Sequence, residues 1–122
     1  MKGSDVMKLL ASLDVKLIKC LILDRNKIGN LGGVAIRNFI KAGMGVSNLR
    51  ELRIRECNIG NEESIGVLND LADLKNDKNE TRNKLEVLDI TRNMANGIPA
   101  GDAVVRLLEG AILLKELNLS LP

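Results

Sequence analysis

The feature that most constrains this chain is a spacing of apolar residues that returns along its length. Leu49–Gly60 reads LRELRIRECNIG, with apolar side chains at Leu49, Leu52, Ile54, Cys57 and Ile59. Ile18, Leu21, Leu23, Asn26 and Ile28 stand at the same intervals, as do Leu85, Leu88, Ile90, Asn93 and Ala95. Leu114, Leu117 and Leu119 begin the pattern again. Taking Leu21, Leu52, Leu88 and Leu117 as equivalent gives offsets of 31, 36 and 29 residues. An approximate period of this size marks stacked supersecondary units, none of which can bury its own leucines alone.

Within each copy the apolar residues alternate as in a strand, and between copies they follow a helical spacing. Val34, Ala35, Ile36, Phe39 and Ile40 share a face of a helix from about Gly33 to Lys41. Ile65, Leu68, Leu71 and Ala72 do the same after the acidic start Glu62-Glu63, which suits a helix N-terminus. Val104, Val105, Leu108, Ala111 and Ile112 predict the buried face of another helix. Near the start, Ser4 or Asp5 is placed to cap a helix carrying Val6, Leu9, Leu10 and Leu13. The expected order is helix, then three rounds of strand and helix, then a last strand, with strands of four or five residues. Stacked strands lie about 4.8 Å apart whereas helices need about 10 Å, so the assembly should curve with the sheet on its inner face.

The totals allow one domain and remove several classes of chemistry. With 122 residues and 45% hydrophobic content a core is affordable, but Phe39 is the one aromatic residue, so that core must be aliphatic. A net charge of +2 from 18 basic and 16 acidic residues gives no general attraction to phosphate. The chain has no histidine, which excludes Ser-His-Asp and Cys-His hydrolysis within one chain and removes the commonest metal ligand. Gly29, Gly32 and Gly33 are not followed by Gly-Lys-Ser/Thr and read as turn residues, not as a phosphate loop. Two cysteines, Cys20 and Cys57, suit neither a disulfide scaffold nor a zinc knuckle. No apolar run reaches the roughly 18 residues of a membrane span. With no leader read at Met1–Met7, the expected setting is cytoplasmic, without membrane, metal or cofactor.

The pattern L-x-x-L-x-L-x-x-N/C-x-I/L resembles the leucine-rich repeat signature. Its continuation IGNLGGVAIRNFI, Ile28–Ile40, is similar to the long-repeat, ribonuclease-inhibitor-like subclass. The resemblance covers nearly the whole chain, in three aligned copies and a truncated fourth. Repeat two departs from it by placing Glu63 where the family has glycine, and repeat three has MANGIP, Met94–Pro99, in place of the neat turn. The resemblance implies a short horseshoe arc with a concave parallel sheet of about four strands and helices on the convex side. It implies protein binding on the concave face and no catalysis. Residues 1–122 are expected to form a single domain of about three to four repeats. Because the pattern stops one strand into a repeat, either the chain is a piece of a longer array or its C-terminal edge strand, with Leu117, Leu119 and Leu121, supports self-association.

If the repeat leucines point inward, the alternate residues form the concave face. These are Cys20, Ile22 and Asp24; Glu51, Arg53 and Arg55; Val87, Asp89 and Thr91; and Glu116, Asn118 and Ser120. Arg25, Glu56 and Arg92 follow them in a row of alternating sign. One reading is a self-compensated solvated face, in which each exposed pair contributes roughly 0–1 kcal/mol. The other makes Arg53 and Arg55 anchors for a protein partner's carboxylates. Mixed charge without aromatics does not suit nucleic acid. Asn26, Cys57 and Asn93 fall where each strand turns away, and are expected to satisfy buried backbone groups there. Cys57 is thus expected to pack, and Cys20 to be the accessible thiol. The polar stretch Asn76–Asn83 is expected to be an exposed loop. Two other functions compete with protein binding: a segment of a GTPase-activating regulator, which uses a similar long repeat, and a purely structural scaffold segment.

Overall fold

The computed structural model describes residues 1–119 of the chain. Helix and strand alternate: α1 (Gly3–Ala11), β1 (Cys20–Ile22), α2 (Gly29–Ala42), β2 (Glu51–Arg53), α3 (Asn61–Ala72), β3 (Val87–Asp89), α4 (Gly97–Gly110) and β4 (Glu116–Asn118). The strands form one parallel sheet in the order β1-β2-β3-β4, and the helices pack in sequence, each on the next. Leu21, Leu52, Leu88 and Leu117 are direct neighbours across the sheet, the equivalence that the repeat spacing predicts. The expectations for Ser120 and Leu121 lie outside the described residues.

The strands are three residues long, shorter than expected, but their hydrogen bonding runs further. Leu23 N donates to Arg53 O at 2.9 Å, Arg25 N to Arg55 O at 2.8 Å and Glu56 N to Thr91 O at 2.8 Å. The ladder ends where Arg25, Glu56 and Arg92 take φ of 60°, 52° and 60° and turn the chain off the sheet. Left-handed backbone costs a residue with a Cβ about 1–2 kcal/mol. For Arg25 and Glu56 the inter-strand bond offsets part of that cost.

The core lies between sheet and helices. Leu52, Leu68, Leu71, Leu85, Leu88 and Leu107 are wholly buried, each stabilising by about 1.5–3 kcal/mol relative to exposure. Three helix details differ from the sequence expectation. Helix α1 begins at Gly3, and Asp5, two residues inside it, accepts the Lys2 amide at 3.0 Å instead of capping as the first residue. Val34 is exposed on α2. On α4 the buried residues are Ala100, Ala103, Leu107 and Gly110, while Val105 and Leu108 are 58% and 49% exposed; just past the helix Ala111 is buried and Ile112 is 67% exposed. Helix α4 packs on α3, where Arg106 reaches back to Asn69 and Asp73. Leu107 is buried with the alanines, and Val105 and Leu108 are left facing outward.

A partly buried ion cluster joins α2 and α3. Arg37 donates through Nε to Asp70 and through Nη1 to Glu63, both at 2.8 Å. Glu63 and Asp70, charged side chains of a type usually left in solvent, keep only 11% and 10% side-chain exposure. Hydrogen bonding to Asp70 first, and then to Glu63, holds the Arg37 guanidinium above its ordinary value. The fit depends on glycine: a methyl group at Gly66 would meet the Arg37 guanidinium, and one at Gly33 would stand 2.9 Å from Glu63 Cβ.

The Asn76–Asn83 loop is a small hairpin, with Lys75 bridged to Thr81 and Asn76 Oδ1 accepting the amides of Lys78 and Glu80. Its last residue corrects the expectation of an exposed loop. Asn83 is buried; it donates through Nδ2 to Leu71 O at 3.4 Å and accepts the Leu85 amide at 3.1 Å. A loop entering the core at its end needs such a partner for backbone groups that water cannot reach.

Candidate functional site: the helix-free face of the sheet

Strand alternation places Cys20, Ile22, Glu51, Arg53, Val87, Asp89, Glu116 and Asn118 on the side of the sheet away from the helices. Cys20, Glu51, Val87 and Glu116 are neighbours in one row, and Ile22, Arg53, Asp89 and Asn118 in another. Asp24, Arg55 and Thr91 follow, and Arg25, Glu56 and Arg92 stand at the turns beyond them.

Arg53 sits at the centre of this face. Its Nε donates to Glu51 at 2.7 Å, its Nη1 donates to Glu116 at 3.1 Å, and Nη1 also lies 3.7 Å from Asp89. The Glu51 bond is the chief cause that raises the Arg53 guanidinium above its ordinary value. Asp89 is the second hub and is buried, although it projects from the same face. One of its oxygens accepts both the amide and the hydroxyl of Thr91. The other lies 3.7 Å from Arg55 Nε and 3.4 Å from Asn118 Nδ2. Asp24 Oδ1 accepts the Arg55 amide at 2.8 Å, tying one unit to the next. Glu56 stands between Arg25 and Arg92, at 3.8 Å and 3.7 Å. The face is therefore a network of mutually paired charges, with Ile22 53% exposed and the Arg55 side chain 42% exposed at its surface.

The turn residues divide by burial. Asn93 Oδ1 accepts the amides of Cys57 and Ile59, both at 3.1 Å, and its Nδ2 donates to Ile54 O at 2.6 Å. Cys57 is wholly buried, with Sγ 3.0 Å from Leu23 O and 3.4 Å from Arg55 O, and one S–H to share between them. Burial pushes its thiol up, against the pull of the Asn26 and Arg25 amides. Asn26 is half-buried; its Nδ2 donates to Leu23 O, and its Oδ1 accepts the N-terminal ammonium of Met1 at 3.1 Å. Cys20 is the exposed thiol, raised by its shallow burial and by Glu51, with Arg53 pulling the other way.

A second asparagine ladder escaped sequence reasoning. Asn30 Oδ1 accepts the Gly60 amide at 2.7 Å, and Asn61 Oδ1 accepts the Asn96 amide at 2.8 Å. Each joins the start of one helix to the entrance of the next. Asn30 and Asn61 are 31 residues apart, the offset of Leu21 and Leu52, so the signal was present in the repeat.

Among the described residues no group of three or more His, Cys, Asp or Glu is arranged to hold a metal ion, and no helix is long and apolar enough to cross a membrane. Comparison with protein-family models, curated proteins and solved structures found no match. The fold is an α/β repeat with alternating helices and a parallel four-stranded sheet, similar in general topology to leucine-rich repeats. The carboxylates are engaged by arginines, and no histidine is present to act as a base.

Proposed function

We propose that the chain is a non-catalytic protein-interaction module of the leucine-rich repeat kind, similar to the ribonuclease-inhibitor-like long-repeat subclass. It binds a protein partner through the helix-free face of the sheet. The observation that carries this reading is the fixed charge network around Arg53 and Asp89. Side chains already held by neighbours lose little freedom on binding, so such a surface meets a partner pre-organised. Ile22 and Arg55 are the accessible points of contact, which suits a partner offering an apolar patch beside a carboxylate.

The reading includes a reducing, cytoplasmic setting, motivated by two free thiols. It requires no cofactor. It also includes self-association through the outer edge of β4, which among the described residues is paired only on its β3 side.

Arg53 is a poor residue with which to test the idea, because a glutamate there would join Glu51, Asp89 and Glu116 and unsettle the sheet. Ile22→Asp combined with Arg55→Ser leaves the core untouched. In affinity capture from lysate, the unaltered chain should retain partners that this variant loses, while Lys8→Glu on α1 retains them. Capture of the same proteins by both variants would remove the assignment.

A further inference from the structure

The connections that lead from helix to strand leave a pocket of about 280 Å³ at the N-terminal ends of the strands. Lys16, Lys75, Arg82 and Lys84 line it, and Asp77 is the one acid that does. These five charges give +3, more than the +2 of the whole chain. Three of the four cations are held by neutral groups. Lys84 Nζ donates to Asn48 Oδ1 at 2.8 Å, Lys75 Nζ to Thr81 Oγ1 at 3.2 Å and Arg82 Nη1 to Thr81 O at 3.0 Å.

Elsewhere the molecule compensates its arginines. Arg25, Arg37, Arg50, Arg53, Arg55, Arg92 and Arg106 each have a carboxylate within 4.0 Å. Among the described residues, Arg82 is the one arginine without such a partner, and Lys16, Lys75 and Lys84 have none either. The nearby acids are occupied or turned to the backbone: Glu80 accepts from Asn76 Nδ2, and Asp14 accepts the Lys16 amide.

A concave site in which one sign of charge predominates concentrates the opposite ion, and arginine with lysine is the usual pairing for phosphoryl oxygens. The volume lies at the small end of ligand pockets, which run to about 300–1,000 Å³. We propose that this pocket binds a small free phosphoryl anion of the size and charge of diphosphate. Arg82 supplies the planar fork, and Lys75 and Lys84 supply point charges beside it. The site is separate from the partner-binding face and does not depend on that function.

Calorimetric titration of the full chain with inorganic diphosphate at low ionic strength tests it. The expected result is saturable binding of one ligand per chain, with a dissociation constant at or below about 1 mM. Arg82→Ser with Lys84→Ser should weaken binding by about tenfold or more. Arg25→Ser with Lys27→Ser removes equal charge elsewhere and should leave binding unchanged. Circular dichroism checks that each variant folds; if the first pair fails, Lys75→Ser takes its place with the same expected weakening. Absence of saturation, or equal weakening by the remote pair, would overturn the proposal.

Discussion

Replacing Asn93 by alanine should be among the most damaging polar substitutions in the chain. The side chain is buried and closes hydrogen bonds to three backbone groups of the preceding unit, the amides of Cys57 and Ile59 and the carbonyl of Ile54. Alanine leaves all three in the core without a partner. Each stranded group costs about 1–3 kcal/mol, and partial relaxation brings the expected loss to about 4 kcal/mol. Domains of this kind have about 5–15 kcal/mol in total. Asn26→Ala at the equivalent turn is the internal comparison. Asn26 is half-buried and water can replace its bonds, so about 1 kcal/mol should be lost there. The chain has no tryptophan or tyrosine, so urea unfolding is best followed by far-UV circular dichroism. With a slope of about 2 kcal/mol per molar urea, the Asn93→Ala midpoint should fall by about 2 M and that of Asn26→Ala by about 0.5 M. Equal losses in the two variants, or an Asn93→Ala loss under about 1 kcal/mol, would refute the hydrogen-bond reasoning.

The remaining predictions concern thiols, helix packing and acid. Iodoacetamide should modify Cys20 in the native protein and Cys57 only after denaturation, as read by mass spectrometry of the digested chain. Gly66→Ala should cost about 1–2 kcal/mol because the new methyl meets the Arg37 guanidinium. In an Arg37→Met background the same change should stabilise α3 by up to about 1 kcal/mol, so a double-mutant cycle reverses its sign. Lys115, at 3.0 Å, and Arg50, at 3.5 Å, hold the Glu86 carboxyl below its ordinary value, with Lys115 the larger influence. A carboxylate lowered by folding stabilises above its unfolded value and ceases to as pH falls through its folded one. The thermal stabilities of the unaltered chain and Glu86→Gln should therefore differ at neutral pH and converge in acid; a constant difference would contradict the pairing.

The sheet was legible because its signal is redundant. Four leucines at one position of the repeat fix the register, and a slip of one residue would put every charged residue of β2 into the core. Helix faces were harder. Along α4 and just past it Val105, Leu108 and Ile112 suggested the buried side, yet the side that packs inward carries Ala100, Ala103 and Leu107. Hydrophobicity reports which residues can be buried, and packing distance decides which are. The Arg37 cluster was invisible for a related reason: Glu63 and Asp70 have the composition of a solvated helix, and only the meeting of α2 with α3 brings an arginine between them. Asn83 was grouped with its polar neighbours because the loop's return to the core depends on contacts with Leu71 and Gly110. On the helix-free face, alternation correctly indicated which side chains project. It could not show that Asp89 would be covered by Arg53, Arg55, Thr91 and Asn118.

The central claim is that a protein partner lies on the helix-free face of the sheet. Amide hydrogen exchange of the chain, alone and with a captured partner, tests it most directly. The account predicts added protection in residues 19–25, 50–56 and 86–92, with the helices unchanged. Protection concentrated on α1 to α4, with those three segments exchanging as in the free chain, would contradict it.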